Sequence, residues 1–432
     1  MIDKIKNNIW FKNISWSLAG KAIAMIFFQI LDIALANFLS VSGYSEWAFF
    51  YSVLTILFYF CWLGVNSSTR VFISKQQYQE SRDLCITAAL LLRMVVSVFS
   101  VLIIFLIVHG GLPSLLGYPG KYPELRSLLL IGCSIVFFNS FSEFFKDLYQ
   151  GMGKFGYFFI VELIEYGGYC ILSICFLLFH KSIYSVALAY LLTGLILFAV
   201  NVLCLRRGLA YQRSIGWQKI KDFAIKIGKN ALPLILISMG ALVLTEMDTF
   251  MLGILSEKTQ VANYNIAKQL CLKATHVNNS IWMGTLISIS VVTKENVHEK
   301  LKQFKKIRKI NTTATVAVVS VLLIFAIIFI PIFYQEYESA KNITLILIIY
   351  YVLTAISTLY ACFLDYQFKS GIRAVWFASV IVINLILNLV LIPTYGAFGA
   401  AIATVTSLIP YSIWLITYTF KFWKQYIGQE NN

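Results

Sequence analysis

Residues 84–108 read LCITAALLLRMVVSVFSVLIIFLIV, a run of 25 residues in which Arg93 is the one charged side chain. An apolar stretch of about 18 residues or more is long enough to cross the hydrocarbon core of a bilayer as a helix. A helix also satisfies its own backbone hydrogen bonds, which lipid cannot do. This stretch therefore predicts a transmembrane helix with one charge inside it.

The composition of the whole chain agrees with that prediction. Its 432 residues are 59% hydrophobic and 13% charged, and the mean hydropathy is +0.77. Soluble domains have about 25% charged and 45–50% apolar residues. A soluble globular protein is therefore excluded, and so is a disordered chain, which would be rich in charge and poor in apolar residues.

Comparable runs recur along the chain and predict an all-α polytopic membrane protein with twelve transmembrane helices. The run that follows Lys4, Lys6 and Lys12 is too long for a signal peptide and contains Lys21 and Asp32, so we interpret it as the first span. The predicted spans are 14–39, 45–68, 84–108, 125–147, 155–179, 184–205, 229–254, 261–291, 310–334, 341–363, 372–393 and 396–420.

The basic residues predict that both termini lie on the inner side. With the N-terminus inside, 26 of the 35 Lys and Arg residues fall on inner segments, with Lys146 counted at the inner end of the fourth span, and five fall on outer loops. The net charge of +15 is explained by these inner segments. We therefore expect no nucleic-acid partner, although a basic protein can have one.

The two halves of the sequence resemble each other. Asp32 stands seven residues before Leu39-Ser40, and Asp248 stands seven before Leu255-Ser256, an offset of 216. This offset predicts two six-helix lobes related as parallel repeats. The predicted domains are an N-terminal lobe (1–205), a basic cytoplasmic linker (206–228) and a C-terminal lobe (229–432).

Ten ionisable side chains lie inside the predicted spans, and they indicate where the function is. Each would cost about 2.5–3.5 kcal/mol at the centre of a lipid-facing helix, so we expect the set to face a polar lumen. Cations suit an anionic group such as a diphosphate. Carboxylates near the outer ends of two spans suit a coupling ion, with a salt bridge to a nearby Lys as their alternative role. The substrate-binding candidates are Arg93, Lys273, Lys268 and Lys21; the ion-coupling candidates are Asp32, Asp248 and Glu246; the other polar candidates are Glu143, Glu162, Glu165, His276 and Gln269.

The sequence offers no catalytic or metal-binding motif. The eight cysteines form no CxxC pair, and GxxxxGK[ST], HExxH and a Ser/His/Asp grouping are absent. The match of 151–156 (GMGKFG) to GxGxxG joins two predicted spans and follows no strand, so a nucleotide site is not expected. We predict a protein that is not an enzyme, holds no metal and needs no cofactor beyond a coupling H⁺ or Na⁺.

Four segments together resemble the bacterial polysaccharide flippases, the O-antigen (Wzx-type) members of the multidrug/oligosaccharidyl-lipid/polysaccharide (MOP) exporter superfamily. They are NFLSVSGYSEWAFFYSVL (37–54), DLYQGMGKFGYF (147–158), MDTFMLGILSEKTQVANYNIAKQL (247–270) and NLILNLVLIPTYGAFGAAIATV (384–405). The resemblance implies a V-shaped, MATE-like bundle in the bacterial inner membrane. It also implies that the protein flips undecaprenyl-diphosphate-linked oligosaccharide outward by cation-coupled alternating access.

Two other functions fit the same sequence. A multidrug/cation antiporter of the superfamily would want an acidic lumen, and six acids against four bases lie in the predicted spans. A non-transporting scaffold of a glycan assembly complex is the third hypothesis. The partners expected for a flippase are the lipid-linked glycan, membrane lipid, and the polymerase and chain-length regulator proteins of polysaccharide assembly.

Overall fold

The structure is a computed structural model that describes residues 9–428 except 63, 75–78, 118–119, 209–215, 286–291, 294 and 368. Some side chains within its helices, including those of 232–241 and 276, fall outside the description. The described part is built of helices and contains no strand, which confirms the predicted all-α class. The chain forms two compact units, Met1–Leu242 (unit 1) and Val243–Asn432 (unit 2).

The helices follow one another along the chain. Unit 1 contains α1 (Ile9–Phe38), α2 (Val41–Trp62), α3 (Val65–Ser74), α4 (Gln79–His109), α5 (Leu112–Leu115), α6 (Leu125–Gly151), α7 (Phe155–Glu162), α8 (Gly168–Phe179), α9 (Ile183–Gly208) and the first part of α10 (Trp217–Leu255). Unit 2 contains the rest of α10, α11 (Lys258–Thr285), α12 (Val297–Ile324), α13 (Ile330–Phe333), α14 (Ala340–Tyr366) and α15 (Ser370–Gly428). Single π-helical turns join α7 to α8 (Leu163–Gly167) and α12 to α13 (Phe325–Phe329).

Helices lie in each of the twelve predicted spans. Within the described residues, eight helices are long and apolar enough to cross a membrane. The eleventh and twelfth predicted spans lie on α15, which is interrupted at Gly396 by a non-helical φ of 55° and ψ of −129°. The chain is therefore a multi-pass membrane protein.

The boundary between the units differs from the predicted linker. Helix α10 begins at Trp217, inside the predicted linker 206–228, and the two units divide within this helix after Leu242. The basic residues of 217–228 alternate with apolar ones, and Ile227 is fully buried in the core of unit 1. A segment with that apolar face packs as a helix and is not a free linker.

Helix α4 shows how a membrane helix distributes its side chains. One stripe recurs at helical spacing and is 53–66% exposed: Val95, Phe99, Leu102 and Leu106. The opposite stripe is buried and carries the polar residues: Arg93, Ser97 and Ser100. The apolar stripe can face lipid without cost, and the polar one is shielded from it.

Replacing Gly396 by Ala tests the break in α15. A Cβ at this position would lie 2.8–3.1 Å from side-chain atoms of Gln260, whose Oε1 accepts a hydrogen bond from the backbone N of Ala397 (3.1 Å). The backbone angles are also unfavourable for any residue with a Cβ, so we expect a loss of about 1–3 kcal/mol of stability. The measurement is the thermal midpoint of the detergent-purified protein. Gly371→Ala is the control, since a Cβ there has no atom within 4 Å, and an equal midpoint for both variants would contradict this account.

Candidate functional site

A buried lysine in unit 1 holds three carboxylates together. Lys146 on α6 is 4% exposed. Its Nζ contacts Glu143 and lies 3.3 Å from Glu165 Oε1 and 3.9 Å from Glu162 Oε1. Lys21 of α1 joins them through a 2.8 Å contact between its Nζ and the same Glu162 oxygen. We call these five residues the Lys146 cluster; fully ionised, it carries one net negative charge.

The structure places Lys146 differently from the sequence-based prediction. The prediction counted it among the 26 basic residues of the inner segments, at the inner end of the fourth span. In the structure α6 continues to Gly151 and buries Lys146 among acidic side chains of α6, α7 and the π-helical turn. A lysine ammonium is buried in a helical bundle only when opposite charges surround it.

The π-helical turn Leu163–Gly167 positions two side chains of this region. Glu165 and Tyr166 both lie in it, and the Ser142 hydroxyl donates a hydrogen bond to Glu165. The Nζ of Lys146 lies 5.7 Å from the centre of the Tyr166 ring. A π turn shifts the register of the residues that follow it, and such turns are frequent at functional sites.

A cavity of about 230 Å³ opens beside the Lys146 cluster. Two of the cluster's carboxylates, those of Glu143 and Glu165, line it, together with the Asn139 amide and a set of aromatic rings. The aromatic residues are Tyr51, Phe58, Tyr59, Tyr166 and Tyr190. The described lining residues thus present carboxylates and aromatic rings but no lysine or arginine, and Lys146 lies directly beside both carboxylates.

Arg93 of α4 is fully buried in unit 1, close enough to Glu143 of the Lys146 cluster for the two charges to interact. Its Nη1 donates to the backbone oxygen of Cys61 over 2.9 Å. Its Nε and Nη2 have no hydrogen-bond partner among the described residues. A guanidinium with unused donors in a low-dielectric interior has a strong affinity for an anion that reaches it.

Unit 2 is organised around the Asp248 carboxylate. Asp248 is 2% exposed and accepts hydrogen bonds from the Tyr264 hydroxyl (2.6 Å), the Asn388 amide (2.6 Å) and the Thr404 hydroxyl. These partners come from α11 and from both sides of the Gly396 break in α15. We call these four residues the Asp248 site.

Two other predicted residues of unit 2 form an ion pair beside it. The Nζ of Lys268 lies 2.9 Å from Glu246 Oε2 and donates to the Thr249 hydroxyl (2.8 Å) and the Thr245 backbone oxygen (3.1 Å). Lys268 and Asp248 also line one small cavity of about 10 Å³. A space of that size is at the lower limit for holding one water molecule.

The predicted repeat is visible in how its two aspartates are held. Asp32 is 4% exposed and accepts from the Tyr44 hydroxyl of the next helix over 2.7 Å. Asp248 likewise accepts from Tyr264 of the next helix. Each half thus places one buried aspartate against one tyrosine.

The remaining predicted residues lie on α11. Gln269 is buried and its amide donates to Asn265 over 3.5 Å. Lys273 is half-buried. The side chain of His276 falls outside the described residues.

Sequence reasoning missed Lys146, Tyr264 and Thr404. A signal for Lys146 was present, since Glu143 and Lys146 stand at i and i+3 on one helix face. No local signal existed for Thr404, which is 156 residues from Asp248 in the chain.

Comparisons with known proteins agree with this architecture. A family model described as "Polysaccharide biosynthesis protein" matches residues 10–289. Among solved structures, the inward-facing conformation of a multidrug resistance MATE family transporter of the MOP superfamily aligns with 14% identity and a TM-score of 0.71, over 95% of this chain and 99% of that chain. The MATE multidrug transporter DinF-BH aligns with 12% identity and a TM-score of 0.71, over 96% and 95%. A search of curated proteins found no match. The structural likeness establishes a MATE-type fold.

Removing the Lys146 ammonium should destabilise unit 1. In Lys146→Met, Glu143, Glu162 and Glu165 would lose the ammonium that lies among them, and breaking a buried ion pair costs about 3–5 kcal/mol. We expect a clear fall in the thermal midpoint and a partial recovery in the double variant with Glu143→Gln, which removes one of the repelling charges. The exposed Lys154→Met is the control. A double variant no more stable than Lys146→Met would contradict the proposed charge balance.

Proposed function

This chain belongs to the polysaccharide biosynthesis protein family, and from that membership we propose that it is a flippase for a lipid-linked polysaccharide precursor. The proposed substrate is an undecaprenyl-diphosphate-linked oligosaccharide, the repeat unit of O-antigen or a related surface polysaccharide. The protein would carry it from the inner to the outer leaflet of the bacterial inner membrane.

The observation that carries the proposal is the conjunction of this family with a MATE-type transporter fold. A polysaccharide is assembled from polar intermediates that cannot cross a bilayer unaided. A member of its biosynthesis family that is built as a multi-pass transporter is suited to moving such an intermediate. The family and the solved structures are transporters, which supports a role other than catalysis.

We assign the diphosphate to Arg93 before the other predicted cations. Lys21 and Lys268 are engaged by Glu162 and Glu246, so an anion would have to break an ion pair to use them. Arg93 retains two nitrogens without hydrogen-bond partners among the described residues. The planar guanidinium can also donate two parallel hydrogen bonds to a phosphate, which the ammonium of a lysine cannot do. Its burial means that a conformational change must open the path to it.

We place the coupling ion at the Asp248 site. Asn388 Oδ1 has no hydrogen-bond partner in the described part of the chain. Turning that amide would present its oxygen to the same space as the Asp248 carboxylate and the Thr404 hydroxyl. Hard cations prefer such oxygen ligands. A proton on Asp248 is the other form of coupling that this geometry supports.

Deleting the gene in its host tests the proposed function. We expect the surface polysaccharide to be lost while intact lipid-linked repeat units accumulate on the inner leaflet, because synthesis continues and translocation stops. The measurements are surface glycan by gel or antibody, and lipid-linked sugar by mass spectrometry of membrane extracts.

The alternative functions give different results in the same strain. Normal glycan with altered drug accumulation would identify a multidrug antiporter; the solved MATE structures are named as multidrug transporters. Lost glycan would identify a scaffold instead if the purified protein translocates no lipid-linked sugar in liposomes.

Neutralising Asp248 tests the coupling site. Asp248→Asn keeps the shape of the side chain and can still form hydrogen bonds. Its neutral amide, however, can neither take up a proton near neutral pH nor attract a cation. We expect substrate translocation to lose its dependence on the Na⁺ or pH gradient and to fall by about tenfold or more, as for removal of a buried charged partner. The measurement is translocation in liposomes under each gradient separately.

Asp222→Asn is the matched control, since Asp222 is exposed on α10. It should translocate like the unaltered protein. Full gradient dependence in Asp248→Asn would remove Asp248 from the coupling mechanism.

A further inference from the structure

The cavity of unit 1 has the size of one small polar ring. At about 230 Å³ it is many times larger than the space for a water molecule. It is also smaller than the roughly 300–1,000 Å³ of pockets for drug-sized ligands. A single sugar residue fits this range, whereas a whole oligosaccharide does not.

Its aromatic walls are held rigidly. Tyr190 stacks on Tyr169 with ring centres 4.6 Å apart, and the Tyr166 ring lies above the Lys146 ammonium. The C–H face of a sugar ring packs well on such rings, because an aromatic side chain offers a broad apolar surface with a polar edge. Rings fixed by their neighbours lose little entropy when a ligand binds.

Its polar groups include one that the protein itself leaves unused. Asn139 is 9% exposed and lines the cavity, yet its amide makes no hydrogen bond within the described residues. Glu143 keeps 32% of its side chain exposed while it contacts Lys146. An amide that faces a cavity without a protein partner is available to hydrogen-bond a ligand or water.

The sign of the charge decides which sugar fits. The described lining residues include two acidic side chains, Glu143 and Glu165, and no lysine or arginine. The nearby Lys146 ammonium is already surrounded by three carboxylates. Hydroxyl and ammonium groups would donate to these oxygens, whereas a sugar carboxylate would be repelled.

We propose that this cavity is a specificity subsite for one neutral or amino-substituted sugar residue and that it discriminates against uronic acids. The proposal rests on the proposed function, since it specifies which kind of sugar residue of the transported glycan binds in unit 1. Asn139 and Glu143 hydrogen-bond the ring substituents, and Tyr166 and Tyr190 pack against its apolar face.

The test is binding of three methyl glycosides to the full-length purified protein, measured by saturation-transfer NMR. The probes are the glycosides of N-acetylglucosamine, glucosamine and glucuronic acid. We expect the first two to bind and the uronate to bind at least about tenfold more weakly, the difference made by losing a hydrogen bond to a charged acceptor. A uronate that binds as well as the others, or the absence of binding by all three, would overturn the proposal.

Two variants connect the binding to the cavity. Glu143→Gln should reduce the ratio of the affinities for the glucosamine and glucuronate glycosides by about tenfold. Asn139→Ala should weaken both favoured glycosides without lowering the thermal midpoint, because this amide bonds to no described residue. Glu124→Gln is the control, because it makes the same substitution at a glutamate outside the cavity. It should leave the affinities for all three glycosides unchanged. Unchanged binding in both cavity variants would place the glycosides elsewhere and overturn the proposal.

The result is separable from the flippase test. Glycoside binding requires no lipid-linked substrate and no translocation. Translocation without the expected glycoside preference would overturn this subsite alone. The expected preference without translocation would overturn the flippase and leave the sugar subsite standing.

Discussion

A charge that is removed from water inside a membrane is costly unless an opposite charge or hydrogen bonds meet it, and this constraint arranges the described structure. Arg93, with two unpartnered nitrogens among the described residues, is the exception. Lys146 is met by three carboxylates, Lys268 by Glu246, and Asp248 by three hydrogen-bond donors. Neutral partners of similar shape would avoid these desolvation costs altogether. On the proposed function, these buried polar groups serve substrate binding and ion coupling, and stability alone does not account for them.

The fold could be predicted from the sequence because its determinants are local. Length and hydropathy fix a membrane helix almost by themselves, and a helix lies in each of the twelve predicted spans. The linker could not be placed in the same way. Ile227 is buried by tertiary packing within a segment of mixed polarity, so its helix reaches further toward the N-terminus than hydropathy indicates.

The site could be predicted only in part. Burial cost identified nearly all the residues that now form the Lys146 cluster and the central carboxylate of the Asp248 site. It could not identify their partners, because those lie on distant helices, as Asn388 does at 140 residues from Asp248. Lys146 was missed for a related reason: near the end of a span, hydropathy cannot distinguish a lysine that reaches water from one enclosed by acids.

The two units repeat one device but differ in what surrounds it. Each holds a buried aspartate against a tyrosine of the next helix. Unit 2 adds an amide and a hydroxyl that donate to the aspartate, beside a space of about one water molecule. Unit 1 adds an aromatic, acidic cavity about twenty times larger. A small ion suits the first environment and a sugar ring the second. On the proposed function, the repeat has therefore diverged so that unit 2 couples transport to an ion and unit 1 recognises the glycan. On this proposal, the acids that line the unit 1 cavity serve sugar recognition, while the basic residues lie on the predicted inner segments.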